Sequence, residues 1–184
     1  MSIGEDLRSI ADLLTTRAVD AAAHDALAEH LGAAREVLAG AELVERNELA
    51  PGVHHDRIGP MRGIESVVAP PLVFGEPVTR DGVSVVNAIA RCGARYEGLP
   101  GLVHGGIVAA CFDEVLAVAL RDAGGGGLTR ELTIRYRRPI GLEDPLVFTA
   151  WIEHDDGRRA FGRAACHVAD TPHADAEAQF ARPR

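Results

Sequence analysis

Two acidic residues lie inside a segment that is otherwise almost entirely apolar. Asp113 and Glu114 fall near the middle of residues 105–120, where apolar side chains recur on nearly every face of a helix. A helix that is apolar all round is typical of the protein interior, and carboxylates are rarely buried unless they are paired, because desolvating a charge is costly. The pattern therefore predicts a buried helix with an acid of chemical importance, and Asp113 is the candidate.

The same helix is predicted to begin directly after His104, with Gly105 and Gly106 in its first turn. Two glycines leave the backbone N–H groups at the helix N-terminus unhindered, and a helix N-terminus favours negative charge. The helix then offers a site for an oxyanion at its start and a carboxylate two turns further along. This combination is suited to acyl-transfer chemistry.

Each of these residues also has a structural interpretation. Asp113 could be an acid held by backbone donors, His104 could be a turn residue, and the two glycines could permit close packing. Glu114 points about 100° away from Asp113 around the helix and is expected at the surface or against a partner. Cys111 lies about 200° from Asp113, so we predict a small core residue rather than a nucleophile.

The periodicity of the remaining sequence predicts the elements that position these residues. Residues 1–48 have helical spacing, and Ser2 followed by Glu5 is typical of a capping box, whereas residues 49–63 are rich in Pro and Gly. From residue 64 the period changes to two, which predicts strands. They are residues 64–74 with an interruption at Pro70-Pro71, then 83–92, 128–137, 146–153 and 160–169, with 176–180 either a short last strand or a ragged end.

This order of elements indicates an α+β protein. A helical lead, one or two strands, a buried helix and a run of antiparallel strands fit a curved antiparallel sheet wrapped around a central helix. We therefore divide the chain into an N-terminal helical extension at residues 1–48, a linker at 49–63 and one folded domain at 64–184.

The composition argues against several partners and locations. A net charge of −8 is unsuited to general nucleic-acid binding, which needs a basic surface. The three cysteines show no zinc or redox spacing and suit a reducing compartment. The N-terminal residues do not read as a signal peptide, and no apolar stretch is long enough to span a bilayer. We therefore expect a cytoplasmic protein without nucleic acid, membrane insertion or a metal.

Three groups of residues resemble one known family. Residues 98–106 read Gly-Leu-Pro-Gly-Leu-Val-His-Gly-Gly, Asp113 follows the last of these glycines by seven residues, and residues 128–140 contain Tyr-Arg-Arg-Pro. Together they resemble the hotdog-fold acyl-CoA thioesterases of the phenylacetate-degradation (PaaI) type. Within that family the sequence is most similar to the branch of mammalian mitochondrial thioesterases with long N-terminal extensions. The resemblance covers roughly residues 83–182.

The resemblance implies a role for each matching position. Asp113 would be the catalytic carboxylate, as nucleophile or as general base on water, and the Gly105 N–H would hold the thioester carbonyl oxygen. His104 would help to orient that site, and Thr129 would position water or the acid, although Thr is also common in strands. Such enzymes use no metal or other cofactor. They form homodimers or dimers of dimers (homotetramers), with His-Gly from one chain and the acid from the other.

Four further residues are candidates for binding the substrate. Gly106 adjoins the oxyanion site, and Glu97 stands where some relatives carry Asn or Gln shortly before His-Gly-Gly. An acid at that position would repel the catalytic carboxylate. Arg137 and Arg138, together with Arg135, are either solvated strand residues or a site for the phosphates of coenzyme A, because a guanidinium can bind a phosphate with two hydrogen bonds.

The leading hypothesis from the sequence is hydrolysis of acyl-CoA thioesters to a free acid and coenzyme A. A hotdog-fold hydratase or dehydratase acting on enoyl thioesters is a second hypothesis, but the predicted helix contains no His. A non-catalytic protein that binds or senses acyl thioesters is a third, and the acid at position 113 argues against it. The acyl chain, and the choice between coenzyme A and a carrier protein, are left open.

Overall fold

The N-terminal segment forms two helices, as its spacing predicts. The computed structural model describes residues 2–42, 59, 61–63, 65–70 and 72–182. Helix α1 (Ile3–Thr16) begins with the predicted capping box of Ser2 and Glu5, and α2 (Ala21–Ala39) begins after Asp20. Most of the predicted linker lies outside the described residues, so the boundaries of extension, linker and domain stay predictions. No helix of the described residues is long and apolar enough to cross a membrane.

Seven antiparallel strands form one sheet. They are β1 (Val73–Phe74), β2 (Val78–Arg80), β3 (Val83–Arg91), β4 (Leu128–Tyr136), β5 (Pro145–Asp155), β6 (Arg159–Val168) and β7 (Thr171–Ala181). The order across the sheet is β1-β3-β5-β6-β7-β4, and β2 also pairs with β3. Strand β4 is therefore an edge strand, whose outer side has no partner among the described residues.

One helix, α3 (Gly105–Asp122), packs against the sheet and contacts β3, β4, β5, β6 and β7. Phe112 of α3 meets Phe148 of β5 edge to face, with ring centroids 5.2 Å apart. The sheet therefore wraps around the helix, which confirms the predicted α+β architecture. The buried residues of α3 are Val108, Cys111, Phe112, Val115, Leu116, Ala119 and Leu120.

The opposite face of α3 is not buried within the chain. Ala109, Ala110, Asp113 and Ala117 are only half-buried. The prediction of a helix buried on every side is therefore wrong for a single chain, because the sheet covers one face only. Since its neighbours on this face are small, Asp113 can be reached from outside the chain.

The predicted strands are confirmed to within two residues at each end, except for the first and the last of them. Residues 65–70 form turns and bends instead of a strand. Of the described residues in the range 64–74, only Val73–Phe74 pairs with β3, because prolines lack the N–H group that a strand ladder needs. Strand β2 is not predicted at all. The last strand of the chain, β7, is a full strand of 11 residues. Its buried positions are mostly alanines, and their small side chains give a weak alternation of hydrophobicity.

Candidate functional site

His104 holds the first turn of α3. Its Nδ1 atom accepts a hydrogen bond from the Gly106 N–H at 2.9 Å, and its carbonyl oxygen accepts one from the Ile107 N–H at 2.9 Å. His104 is thus the N-cap of the helix. Because Nδ1 is the acceptor, the neutral ring carries its proton on Nε2.

The N–H group of Gly105 is left free by this arrangement. Within the described residues no acceptor contacts it, whereas the Gly105 carbonyl oxygen accepts a hydrogen bond from the Tyr136 hydroxyl at 2.8 Å. The free N–H lies at the first position of an 18-residue helix, where the aligned peptide dipoles favour negative charge. It is a donor of the kind that an oxyanion needs.

Two adjoining cavities open around Gly105. A cavity of about 290 Å³ extends towards the end of β4, and one of about 450 Å³ extends towards residues 98–104. A methyl group at position 105 would meet the Tyr136 ring at 3.6 Å, an ordinary contact, so packing inside the chain does not require glycine there. The missing side chain instead leaves room beside the free N–H. Both cavities are lined by Val103, Gly105, Pro139 and Ile140.

Asp113 is hydrogen-bonded to Thr129 because β4 contains a bulge. The Thr129 hydroxyl donates to Asp113 Oδ1 at 2.8 Å. The register between β4 and β7 shifts directly after Thr129, so that Thr129 lies opposite Phe180, whose side chain is buried in the core. Leu132 packs against the core, and if side chains alternated strictly between the two faces of β4, Arg130 instead of Thr129 would lie on the same face as Leu132. The bulge therefore turns a hydroxyl group towards the carboxylate.

The structure separates the predicted site residues into two groups. Gly105 and Gly106 lie at the start of α3 beside His104, whereas Asp113 and Thr129 lie further along the helix. Eight residues separate Gly105 from Asp113, which corresponds to about 12 Å along the helix axis. Asp113 lines neither cavity. A carbonyl bond is only about 1.2 Å long, so one chain alone does not present its free N–H and its carboxylate to the same thioester.

The arginines at the end of β4 are partly neutralised. Arg135 and Arg137 both pair with Asp175 of β7, which confirms that they share a strand face. Arg138 instead donates to the Pro172 carbonyl oxygen at 2.8 Å. The Arg137 side chain is 43% exposed, and both Arg137 and Arg138 line the smaller cavity. A guanidinium has five N–H donors, so both arginines retain donors for a further anion.

Two further acids have structural partners. Glu97 accepts a hydrogen bond from the Gly101 N–H at 2.6 Å, which keeps its carboxylate within its own turn. Glu114 lies 3.6 Å from Arg62 and 3.4 Å from Arg121, and its side chain is only 13% exposed, so it is more shielded than the predicted surface position. Within the described residues, Asp113 has no such cationic partner.

The three thiols are buried side chains of the core. Burial raises the pKa of Cys92 to about 11 and that of Cys166 to about 12, and it raises the pKa of Cys111 well above its ordinary value. A protonated thiol is a poor nucleophile, so the predicted core role of Cys111 is confirmed. In the part of the chain that the structure describes, no three His, Cys, Asp or Glu side chains are grouped as a metal ion requires.

The sequence does not single out two residues that shape this site. Tyr136 holds the carbonyl group of Gly105, and its only signal is its place in the Tyr-Arg-Arg-Pro motif. Asp175 neutralises the arginines, and it carries no signal because it belongs to a different strand.

Known families and proteins match the segment that contains these residues. The family model described as the thioesterase superfamily matches residues 100–171, which include every residue at the start of α3, Asp113 and Thr129. The acyl-coenzyme A thioesterase THEM4 of Xenopus laevis is 32% identical over 76 residues, 41% of this chain and 33% of that protein. THEM4 of Rattus norvegicus is 32% identical over 90 residues, 48% of this chain and 39% of that protein. The chain thus spans about a third of the length of the curated relatives it matches.

Solved structures match over a longer stretch. The crystal structure of one thioesterase superfamily protein is 29% identical, with a TM-score of 0.82 over 98% of this chain and 95% of the other. A putative thioesterase of Ralstonia eutropha, related to phenylacetic acid degradation, is 18% identical, with a TM-score of 0.54 over 60% of this chain and 83% of the other. The predicted hotdog fold is confirmed.

We predict that His104→Ala lowers the free energy of unfolding by about 1 kcal/mol, because it removes the acceptor for the Gly106 N–H. His104→Asn should lose less, since Asn is also a favourable N-cap residue. The measurement is denaturant unfolding, with His24→Ala on the exposed helix α2 as the control. If His104→Ala is no more destabilising than His24→Ala, the side chain does not cap the helix.

Proposed function

We propose that this chain hydrolyses acyl-CoA thioesters to a free acid and coenzyme A, as a hotdog-fold member of the thioesterase superfamily, whose model matches residues 100–171. The observation that carries the proposal is the free N–H of Gly105 at the start of α3, with two cavities beside it. This N–H group would donate a hydrogen bond to the carbonyl oxygen of a thioester. It would then stabilise the negative charge that the oxygen gains when the carbonyl carbon is attacked.

Asp113 would supply the second half of the chemistry. Thr129 donates to Asp113 Oδ1, and we assign the other oxygen, Oδ2, as the reacting atom. As a general base, Oδ2 would take a proton from water while the water oxygen attacks the carbonyl carbon. As a nucleophile, it would attack the carbon itself, and water would hydrolyse the resulting anhydride. In either case the carbon–sulfur bond breaks, and the coenzyme A thiolate leaves and gains a proton.

We propose that two chains combine to form each active site. The distance of about 12 Å between Gly105 and Asp113 along one helix is too long for a single reacting carbonyl. Edge strand β4, where Thr129 lies, has no outer partner among the described residues, and Leu128 and Tyr136 at its two ends are 73% and 53% exposed. A homodimer, or a dimer of dimers, would cover this edge and could place the partner subunit's Asp113 near Gly105.

The coenzyme A part of the substrate would lie along the smaller cavity. Arg137 and Arg138 line that cavity together with Gly105, so an acyl thioester bound at the free N–H could extend its phosphates towards them. The named activity of the THEM4 relatives supports coenzyme A as the thiol. Both arginines already have protein partners, so the phosphate contact would supplement these partners or replace them.

The geometry offers less support for the alternatives. No histidine occurs within α3, so the helix lacks the histidine that a hydratase or dehydratase of this fold would carry there. A non-catalytic binder would use the free N–H to hold a carbonyl oxygen, but it would leave the Asp113 carboxylate and its hydrogen bond from Thr129 without a chemical purpose.

We predict that Asp113→Asn lowers kcat by about 10²-fold to 10⁴-fold while the affinity for acyl-CoA is kept, because the amide cannot take a proton from water. The matched control is Asp122→Asn, an exposed residue at the end of the same helix, which should keep the wild-type rate. The measurements are steady-state turnover over a series of acyl-CoA chain lengths and calorimetric binding.

Near-normal turnover by Asp113→Asn would remove this carboxylate from the mechanism. If the wild-type protein binds acyl-CoAs but turns none of them over, the chain is a binding protein and the proposed hydrolysis is wrong.

We predict that Arg138→Ala raises KM for acyl-CoA more than KM for a short thioester that lacks the nucleotide. A contact made by an exposed arginine contributes up to about 1 kcal/mol, or roughly fivefold in KM. Arg130→Ala, an exposed arginine of strand β4 that lines neither cavity, is the control. Equal changes for the two substrates would mean that Arg138 is a solvated residue with a structural contact only.

A further inference from the structure

The N-terminal helix contacts the rest of the chain at residues 65–66 and at Arg95, and one acidic side chain, Asp12, makes the contact with Arg95. Asp12 of α1 accepts a hydrogen bond from the Arg95 backbone N–H at 3.1 Å through Oδ1, and its Oδ2 pairs with the Arg95 guanidinium. The Arg95 side chain is 13% exposed and that of Asp12 is 34% exposed, so the guanidinium is better shielded from water than the carboxylate. Arg95 also donates to the Arg8 carbonyl oxygen on the same helix at 3.4 Å. Helix α1 thus binds Arg95, which belongs to a single turn of 3₁₀ helix at residues 94–96.

Arg95 in turn fixes the next residue, Tyr96. The guanidinium lies over the Tyr96 ring at 4.3 Å from its centre, and it donates to the Tyr96 hydroxyl at 2.9 Å. The hydroxyl donates to the carbonyl oxygen of Ala69. Tyr96 is only 4% exposed, and burial raises its pKa despite the opposing effect of Arg95, so it stays protonated as a donor at neutral pH.

Tyr96 contacts the residue that caps α3. Its carbonyl oxygen accepts a hydrogen bond from the His104 N–H at 2.8 Å, which closes the loop of residues 96–104 at its base. Gly98 packs against this junction so closely that a methyl group there would lie 2.9 Å from the His104 Cα atom. The position of His104, and with it the direction of the Gly105 N–H, therefore depends on the position of Tyr96.

We propose that Asp12 is a positioning residue for the oxyanion site, acting through Arg95 and Tyr96 on His104. The proposal rests on the proposed function, because it assigns the N-terminal helix a part in directing the Gly105 N–H at a thioester. Asp12 touches no reacting atom. Asp12 binds Arg95 in the turn of residues 94–96, and Tyr96 of this turn binds the His104 N–H. A small displacement of His104 would misalign the Gly105 N–H.

The experiment compares Asp12→Ala and Asp12→Asn with Asp6→Ala, an exposed acid on the same helix that has no contact with the domain among the described residues. Asn keeps one acceptor for the Arg95 N–H but loses the charge. The changes in amide exchange and in kcat should therefore be larger for Asp12→Ala than for Asp12→Asn. The first readout is amide hydrogen exchange of residues 94–106 in the resting protein, with strands β5 to β7 as the internal reference. The second readout is kcat and KM for one acyl-CoA.

We expect Asp12→Ala to speed exchange of residues 94–106 and leave the exchange of β5 to β7 unchanged. In the same variant kcat should fall by as much as about 10²-fold with KM nearly constant, because the acyl-CoA contacts remain while the donor is misaligned. Asp6→Ala should change neither readout.

Unchanged exchange in Asp12→Ala would overturn the proposal, whatever the rate. Faster exchange with an unchanged kcat in an active enzyme would also overturn the proposal, because the contact between Asp12 and Arg95 would then have no effect on the Gly105 N–H. If the wild-type protein hydrolyses no thioester, the proposed function fails, and the exchange readout alone still decides whether Asp12 stabilises the turn of residues 94–96.

Discussion

The free N–H of Gly105 is the group on which the arrangement of the site depends. A helix leaves its first N–H groups without a partner inside the helix, and here the cap satisfies the neighbouring donors but not this one. His104 accepts a hydrogen bond from the Gly106 N–H, and the Tyr136 hydroxyl donates one to the Gly105 carbonyl oxygen. The missing side chain at position 105 leaves space beside the free N–H. The sheet supplies the rigid support by burying the opposite face of the helix.

The half-buried face of α3 gives the second constraint. Asp113 lies among small side chains on this face, held by a hydroxyl group that only a bulge in β4 turns inwards. The same strand is an edge of the sheet, and its outer side is unpaired among the described residues. A chain built in this way has its donor at one end of the helix and its acid about 12 Å away. Assembly with a second chain is the simplest way to bring one of each together.

How much the sequence predicts depends on whether a feature is local. Helix α3 and the long strands follow from hydrophobic period, the acid Asp113 is identified by its place in an apolar segment, and the His-Gly-Gly segment identifies the helix start. The contact between Thr129 and Asp113 does not follow, because a register shift overrides the alternation from which a strand face is deduced. Strand β7 is underestimated because its buried positions are alanines. The contact between Asp12 and Arg95 joins residues 83 positions apart in the sequence, and no local pattern carries it.

The most direct test of the account mixes two chains that are each inactive for a different reason. One chain carries Asp113→Asn; the other carries Gly105→Pro, which deletes the N–H at the first helical position, where proline fits the backbone. If each site takes Gly105 from one chain and Asp113 from its partner, random pairing restores one intact site in every mixed dimer and about a quarter of the wild-type activity. Persistent inactivity after proven subunit exchange would contradict the shared site.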